Sequence, residues 1–140
     1  MKRHIIIASH STLAEGMAHA LKFFEGNNLD LTVLSAYVDN KPIEGQIKDI
    51  FDQIPADDEA IVMTDLLGGS VNQKFFPYIT RLHTHLVTGM NLSLAMAITM
   101  EPANDYLSAD RIREIVTEAS QQVKYVNDLA NAGSEDDEDE

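Results

Sequence analysis

Short runs of β-prone apolar residues alternate along this chain with longer segments whose apolar residues recur every three or four positions. No other feature constrains the fold as much. The runs are residues 4–9, 31–37, 60–65 and 84–88. The first, His4-Ile5-Ile6-Ile7-Ala8-Ser9, is nearly continuous in apolar residues, as a buried strand is. Strands separated by helices form a parallel sheet with crossover helices. Right-handed crossovers and the habits of this class predict an open sheet of order 2-1-3-4, with helices on both faces in a flavodoxin-like α/β arrangement. That order sets the first strand beside the third.

The helical segments carry their own punctuation. Leu13, Met17, Ala20, Leu21 and Phe24 form one predicted apolar face. Thr12 and Glu15 have capping-box spacing, and Gly26-Asn27-Asn28 stops the helix. Pro42 opens a second helix with Ile43, Ile47, Ile50, Phe51 and Ile54 inward and Glu44 spaced to meet Lys48 outward. Ser70 is expected to cap a third helix, and Pro77 to break it after about two turns. An apolar helix is expected at about 92–100. The last helix starts near Ser108, with Ile112, Ile115, Val116, Ala119, Val123 and Val126 on one side. The chain reads as one domain over 1–132 and a disordered acidic tail over 133–140.

The 140 residues, 44% of them apolar, suit a single core. Net charge is −13, and Glu135 to Glu140 supply six of those charges. Such a balance argues against nucleic acid or anionic membrane as partners and leaves room for a basic protein. There is no cysteine, so disulfides and thiolate metal sites are excluded, and a cytoplasmic setting is expected. No apolar window approaches a membrane span, and the N-terminal run is too short for a secretory signal.

In open α/β sheets, ligands bind beyond the carboxyl ends of the strands. Strand 1 ends at His10, directly before the helix start Ser11-Thr12. Strand 3 ends at Asp65 and runs into Leu66-Leu67-Gly68-Gly69-Ser70. The 2-1-3-4 order brings His10 beside Asp65. A neutral imidazole is a competent nucleophile toward phosphorus near neutral pH. A carboxylate at one ring nitrogen fixes the tautomer, frees the other lone pair and stabilises the charge that develops on attack. Phosphoryl transfer also needs donors for the equatorial oxygens. Helix starts at Ser11-Thr12 and Gly69-Ser70 offer backbone N–H groups. Gly68 and Gly69 permit close backbone approach, and the Ser70 hydroxyl adds a donor.

Each piece also has an ordinary explanation. A strand-end His is often half-buried, Asp65 suits a helix cap, and Gly-Gly-Ser is common turn chemistry. Convergence at corresponding strand ends is what makes a site of them. His10 and Asp65 are the catalytic candidates; Ser11, Thr12, Gly68, Gly69 and Ser70 are the phosphate-binding candidates. No metal or cofactor is expected. His83 and His85 have the i, i+2 spacing of a ligand pair but lack a third ligand. His19 falls on an outer helix face, His4 at a strand start away from the site, and Asn91 reads as a helix cap.

Three segments together, Ile6-Ile7-Ala8-Ser9-His10-Ser11, Val62-Met63-Thr64-Asp65-Leu66-Leu67-Gly68-Gly69-Ser70 and Val87-Thr88-Gly89-Met90-Asn91-Leu92, resemble the IIA domain of the mannose-family sugar phosphotransferase system. Order and spacing agree over about the first 130 residues. The resemblance implies a phosphocarrier. His10 would take a phosphoryl group on Nε2 from the phosphorylated carrier protein HPr, with Asp65 holding Nδ1 and Ser70 and nearby amides cradling the phosphate. It would pass the group to a histidine of a IIB subunit, which phosphorylates sugar arriving through the IIC and IID membrane subunits. The family fold is commonly a homodimer that exchanges a C-terminal strand.

This chain departs from the family in two places. Val71-Asn72-Gln73 follows Ser70, where the family often has proline after the serine and then asparagine two places on, so the asparagine is shifted by one here. The region beyond residue 101 reads as helix rather than as an exchanged strand. IIB is expected as a separate polypeptide. Two alternatives stand beside this reading. One is the phosphotransferase subunit that feeds dihydroxyacetone kinase, whose Gly-Ser loop lacks paired glycines. The other is a non-catalytic anion-binding module that uses the same amides without a nucleophile.

Overall fold

The strand β1 (Arg3–His10) shows why this fold forms, because its side chains alternate between two separate cores. The computed structural model describes residues 1–131. After β1 come α1 (Leu13–Glu25), β2 (Thr32–Ala36), α2 (Ile43–Asp52) and β3 (Glu59–Thr64). Then follow α3 (Ser70–Phe75), a 3-10 turn (Phe76–Thr80), β4 (Thr84–Val87), α4 (Leu92–Thr99) and α5 (Ala109–Ser120). All strand pairs are parallel, as the alternation predicts, and the order is β2-β1-β3-β4, as the habits of the class predict.

Ile5 and Ile7 of β1, with Ile61 and Met63 of β3, pack against α1, α4 and α5 through Leu21, Leu94, Ile98 and Ile115. Ile6, Ala8, Ala60 and Val62 point the other way, against Ile47 and Phe51 of α2 and Val71 and Phe75 of α3. A strand covered on both faces has no polar side to show, hence the continuous apolar runs. Each fully buried Ile, Leu or Phe contributes about 1.5–3 kcal/mol of transfer free energy. The register Ile7↔Val33 and Ile7↔Met63 fixes which residues share each layer.

Several local expectations shift. In α1 the buried residues are Ala14, Ala18 and Leu21, whereas Leu13 and Phe24 are 54% and 57% exposed. The capping box does not form, because Thr12 makes no side-chain cap. Ser9, buried at the end of β1, accepts the Ala14 N–H at 2.7 Å instead. That bond ties the first turn of α1 to the strand and turns its alanines toward the sheet. Glu44 and Lys48 both face outward but choose other partners, Lys74 at 2.7 Å and Asp52 at 2.6 Å. Pro77, lacking an N–H, marks the change from α3 to the 3-10 turn.

The last helix is shorter than its sequence pattern predicts. α5 ends at Ser120, and Val123 and Val126 lie beyond it, exposed. The cause is visible at Ala119, whose carbonyl accepts the Gln122 N–H and the Asn91 side-chain amide, both at 3.1 Å. The bond from Gln122 tightens the last turn, and both lone pairs are used before Val123 could continue the helix. Residues 126–131 are helical again. Among the described residues, no strand follows β4. The expected acidic tail at 133–140 lies outside the described residues.

Candidate active site at the carboxyl ends of the strands

β1 ends at His10 because Ser11 turns into the left-handed region, φ +53°, and gives its N–H to the Ala36 carbonyl of β2 at 2.8 Å. β3 ends one residue before Asp65. Since Ala8 pairs with Thr64, the two strand ends deliver His10 and Asp65 side by side. One carboxylate oxygen, Oδ2, accepts both the backbone N–H of His10 and its ring Nδ1, each at 2.8 Å. The other, Oδ1, accepts the Leu66 N–H at 3.0 Å. Burial pushes the Asp65 carboxyl up, but the hydrogen bonds from the backbone and ring of His10 outweigh it and hold the group below the usual carboxylate range. Asp65 is therefore ionised and can only accept, so neutral His10 carries its proton on Nδ1.

Nε2 then carries no proton, and its lone pair is an acceptor. The Asp65 side chain is 8% exposed and that of His10 38%, so the pair presents its reactive edge outward. Ser70 Oγ lies 3.3 Å from Nε2. Ser70 is the first residue of α3, with Gly69 in the cap position, so its hydroxyl does not cap the helix as expected. Gln73 reaches back to the Gly68 carbonyl at 2.8 Å instead. The Ser70 and Val71 N–H groups, at the start of α3, have no intrahelical acceptor.

The paired glycines have separate reasons. Gly68 adopts φ +72° in the turn that reverses the chain after Leu66. Gly69 passes so close to the imidazole that a Cβ there would lie 3.2 Å from His10 Cε1 and 3.1 Å from Leu66 Cβ.

Of the expected phosphate-binding residues, Gly68, Gly69 and Ser70 converge with His10 and Asp65. Ser11 and Thr12 flank His10 but make no hydrogen bond to that group, and the Ser11 amide is already committed to Ala36. Asn91 caps α4 through Leu94 N–H at 2.7 Å. Asn72 accepts from Thr64 Oγ1 at 2.9 Å, bracing the end of β3. His83 stacks on Tyr106 with ring centroids 3.6 Å apart, and His85 meets the Leu107 carbonyl at 3.0 Å. Among the described residues, no group of three or more His, Asp or Glu side chains is placed to hold a metal ion.

One member of the site escaped sequence reasoning. Tyr37, directly after β2, brings its hydroxyl 2.6 Å from Ser70 Oγ and its ring 5.7 Å from the imidazole. The signal was present in the strand order. Tyr37 ends the strand expected beside strand 1, so it occupies the next strand-end position along the same crevice.

Comparison with known proteins converges on one family. Residues 4–117 match the family model described as the phosphotransferase-system fructose IIA component, of the mannose type. No curated protein matches the chain. A protein of Klebsiella pneumoniae subsp. pneumoniae, provisionally described as a phosphoenolpyruvate-dependent sugar phosphotransferase permease, is 34% identical. That alignment covers 93% of this chain and 95% of the other, with a TM-score of 0.83. The IIA protein associated with the fucose utilization operon of Streptococcus pneumoniae is 27% identical, over 93% of this chain and 97% of its own, with a TM-score of 0.75. The mannose/sorbose-specific IIA subunit of Enterococcus faecalis shares the fold at 20% identity, over 89% and 95% of the two chains, with a TM-score of 0.76. With the family model spanning most of its length, this chain belongs to the mannose-type IIA components of the sugar phosphotransferase system.

Proposed function

We propose that this IIA component is a phosphocarrier in which His10 accepts a phosphoryl group on Nε2 and hands it on. The observation that carries this reading is the divided imidazole, with Nδ1 held by a buried carboxylate and Nε2 directed outward beside a hydroxyl. In the loading step, the Nε2 lone pair forms a new N–P bond. The N–P bond of a phosphorylated carrier histidine breaks, and its electron pair stays with the carrier's imidazole. The Nδ1 proton does not move. Positive charge grows on the His10 ring, and the ionised Asp65 offsets it. Ser70 Oγ–H and the first amides of α3 donate to the phosphoryl oxygens. Gly68 and Gly69 allow that approach, and Ser11 and Thr12 complete the rim.

The donor is the carrier protein HPr and the acceptor a IIB subunit, which serves the IIC and IID membrane subunits. The working form is a cytoplasmic homodimer. Leu13, Val38, Leu66 and Leu67, close in sequence to the site residues, are all exposed. Such apolar residues around a polar centre suit a protein partner better than a free sugar.

The test is phosphate incorporation from phosphoenolpyruvate through Enzyme I and HPr of the same source, read by intact mass under non-acidic conditions. Wild type is expected to gain one acid-labile phosphate and His10→Ala none. A wild type that stays unmodified with a validated carrier mix would sink the proposal and favour an anion-binding module on the same fold.

A further inference from the structure

We propose that Tyr37 is a positioning residue for this phosphoryl transfer. Its hydroxyl anchors the Ser70 oxygen beside His10 Nε2, so only the Ser70 proton has to turn when the phosphoryl group arrives. The proposal rests on His10 being the phosphoryl acceptor.

The direction of the relay follows from the acceptors. Asp65 takes the Nδ1 proton, so Nε2 of the neutral ring accepts. The Ser70 hydroxyl, 3.3 Å away, is then the donor to Nε2. Its single proton is used there, so Ser70 Oγ accepts at its other contact, and the Tyr37 O–H donates across 2.6 Å. The chain runs Tyr37 to Ser70 to His10. An incoming phosphoryl group displaces the Ser70 proton from Nε2 and presents oxygens that need a donor. Rotation about the Ser70 Cβ–Oγ bond supplies one, while the Tyr37 bond keeps Oγ in place. Pre-placed donors of this kind lower the reorganisation needed at transfer.

Packing does not explain the orientation of Tyr37. The residue is 56% exposed, yet its backbone sits at φ +67°, a region bulky side chains rarely adopt. It follows Ala36, which pairs with His10 in register and accepts the Ser11 N–H. Ser11 and Tyr37, both left-handed, thus adjoin one backbone bond, Ser11 N–H to Ala36 C=O, and that turn aims the phenol at Ser70. Uncommon backbone conformations persist where surrounding structure imposes them, often at functional sites.

A double-mutant cycle tests this with Tyr37→Phe, Ser70→Ala and the pair. Single-turnover phosphate gain is measured over a range of phospho-HPr concentrations, alongside thermal melting. Tyr37→Phe is expected to lower the maximal rate roughly five- to tenfold, with half-saturation and melting temperature unchanged. In the Ser70→Ala background the same change is expected to have no further effect, because the oxygen it anchors is gone. A wild-type maximal rate for Tyr37→Phe overturns the proposal, as does an equal loss in both backgrounds or a loss confined to half-saturation. These outcomes all require a wild type that gains phosphate. A wild type that gains none overturns the carrier reading itself, a separate failure.

Discussion

β1 and β3 are bridged at each end by a carboxylate and a basic side chain, and the two pairs are built to opposite specifications. At the amino ends, Arg3 ion-pairs with Glu59, its register partner, and their side chains are 3% and 0% exposed. Four of the five guanidinium N–H groups are engaged, and both Glu59 oxygens accept. Arg3 also donates to the carbonyls of Glu101, Pro102 and Asp105 at 2.9–3.0 Å, and Glu59 accepts the Leu107 N–H at 2.6 Å. At the carboxyl ends, Asp65 is similarly enclosed, but its partner His10 keeps one ring nitrogen facing out. A closed pair can only hold a loop; an open pair can do chemistry. The same two strands carry both, which explains how a rigid sheet supports a reactive edge.

That contrast can be broken from either end. The largest effect is expected at the closed end. Glu59→Gln leaves a buried guanidinium uncompensated and should cost about 3–5 kcal/mol of stability, read by urea unfolding. Replacing both partners, Arg3→Met with Glu59→Leu, should recover most of that loss. A double variant as unstable as the single one would show that the anchored 101–107 loop, not the charge, is what matters. At the open end, Asp65→Asn should leave the fold largely intact but slow phosphate gain about 100-fold or more. An amide no longer enforces the tautomer or offsets ring charge. Equal rates for Asn and Asp at this position would remove the carboxylate from the mechanism.

The smallest effect is on acid stability. The folded Asp65 carboxyl titrates below its ordinary range, so the unfolded chain binds that proton more readily than the folded one. The stabilisation is therefore complete above the ordinary carboxylate pKa of about 4 and is lost as pH falls through the lower folded value. Melting curves of wild type minus Asp65→Asn should converge across that window. A gap that persists below it would mean the difference has another origin.

The two ends also differ in how far the sequence discloses them. His10 and Asp65 are legible because each follows an apolar run and the class fixes the strand order. The closed pair is not. Arg3 reads as a basic flank and Glu59 as the residue before a strand, and the carbonyls that complete the pair lie about a hundred residues away. Tyr37 is legible in place, since it ends the strand expected beside strand 1, but its bond to Ser70 is not. Short-range signals mislead where a neighbour competes for the same atom. Ser9 takes the cap that Thr12 and Glu15 advertise, and Asn91 helps saturate the carbonyl that Val123 would need to stay in α5.

The single oxygen of Asp65 that grips both the backbone and the ring of His10 carries a consequence for traffic. With the backbone and one ring nitrogen of His10 both tied to Asp65, the imidazole keeps one bearing toward a giver and a taker alike. On the proposed function, both partners must come to the same berth along the same line. Loading and unloading then form a queue, and the first visitor has to leave before the second can dock.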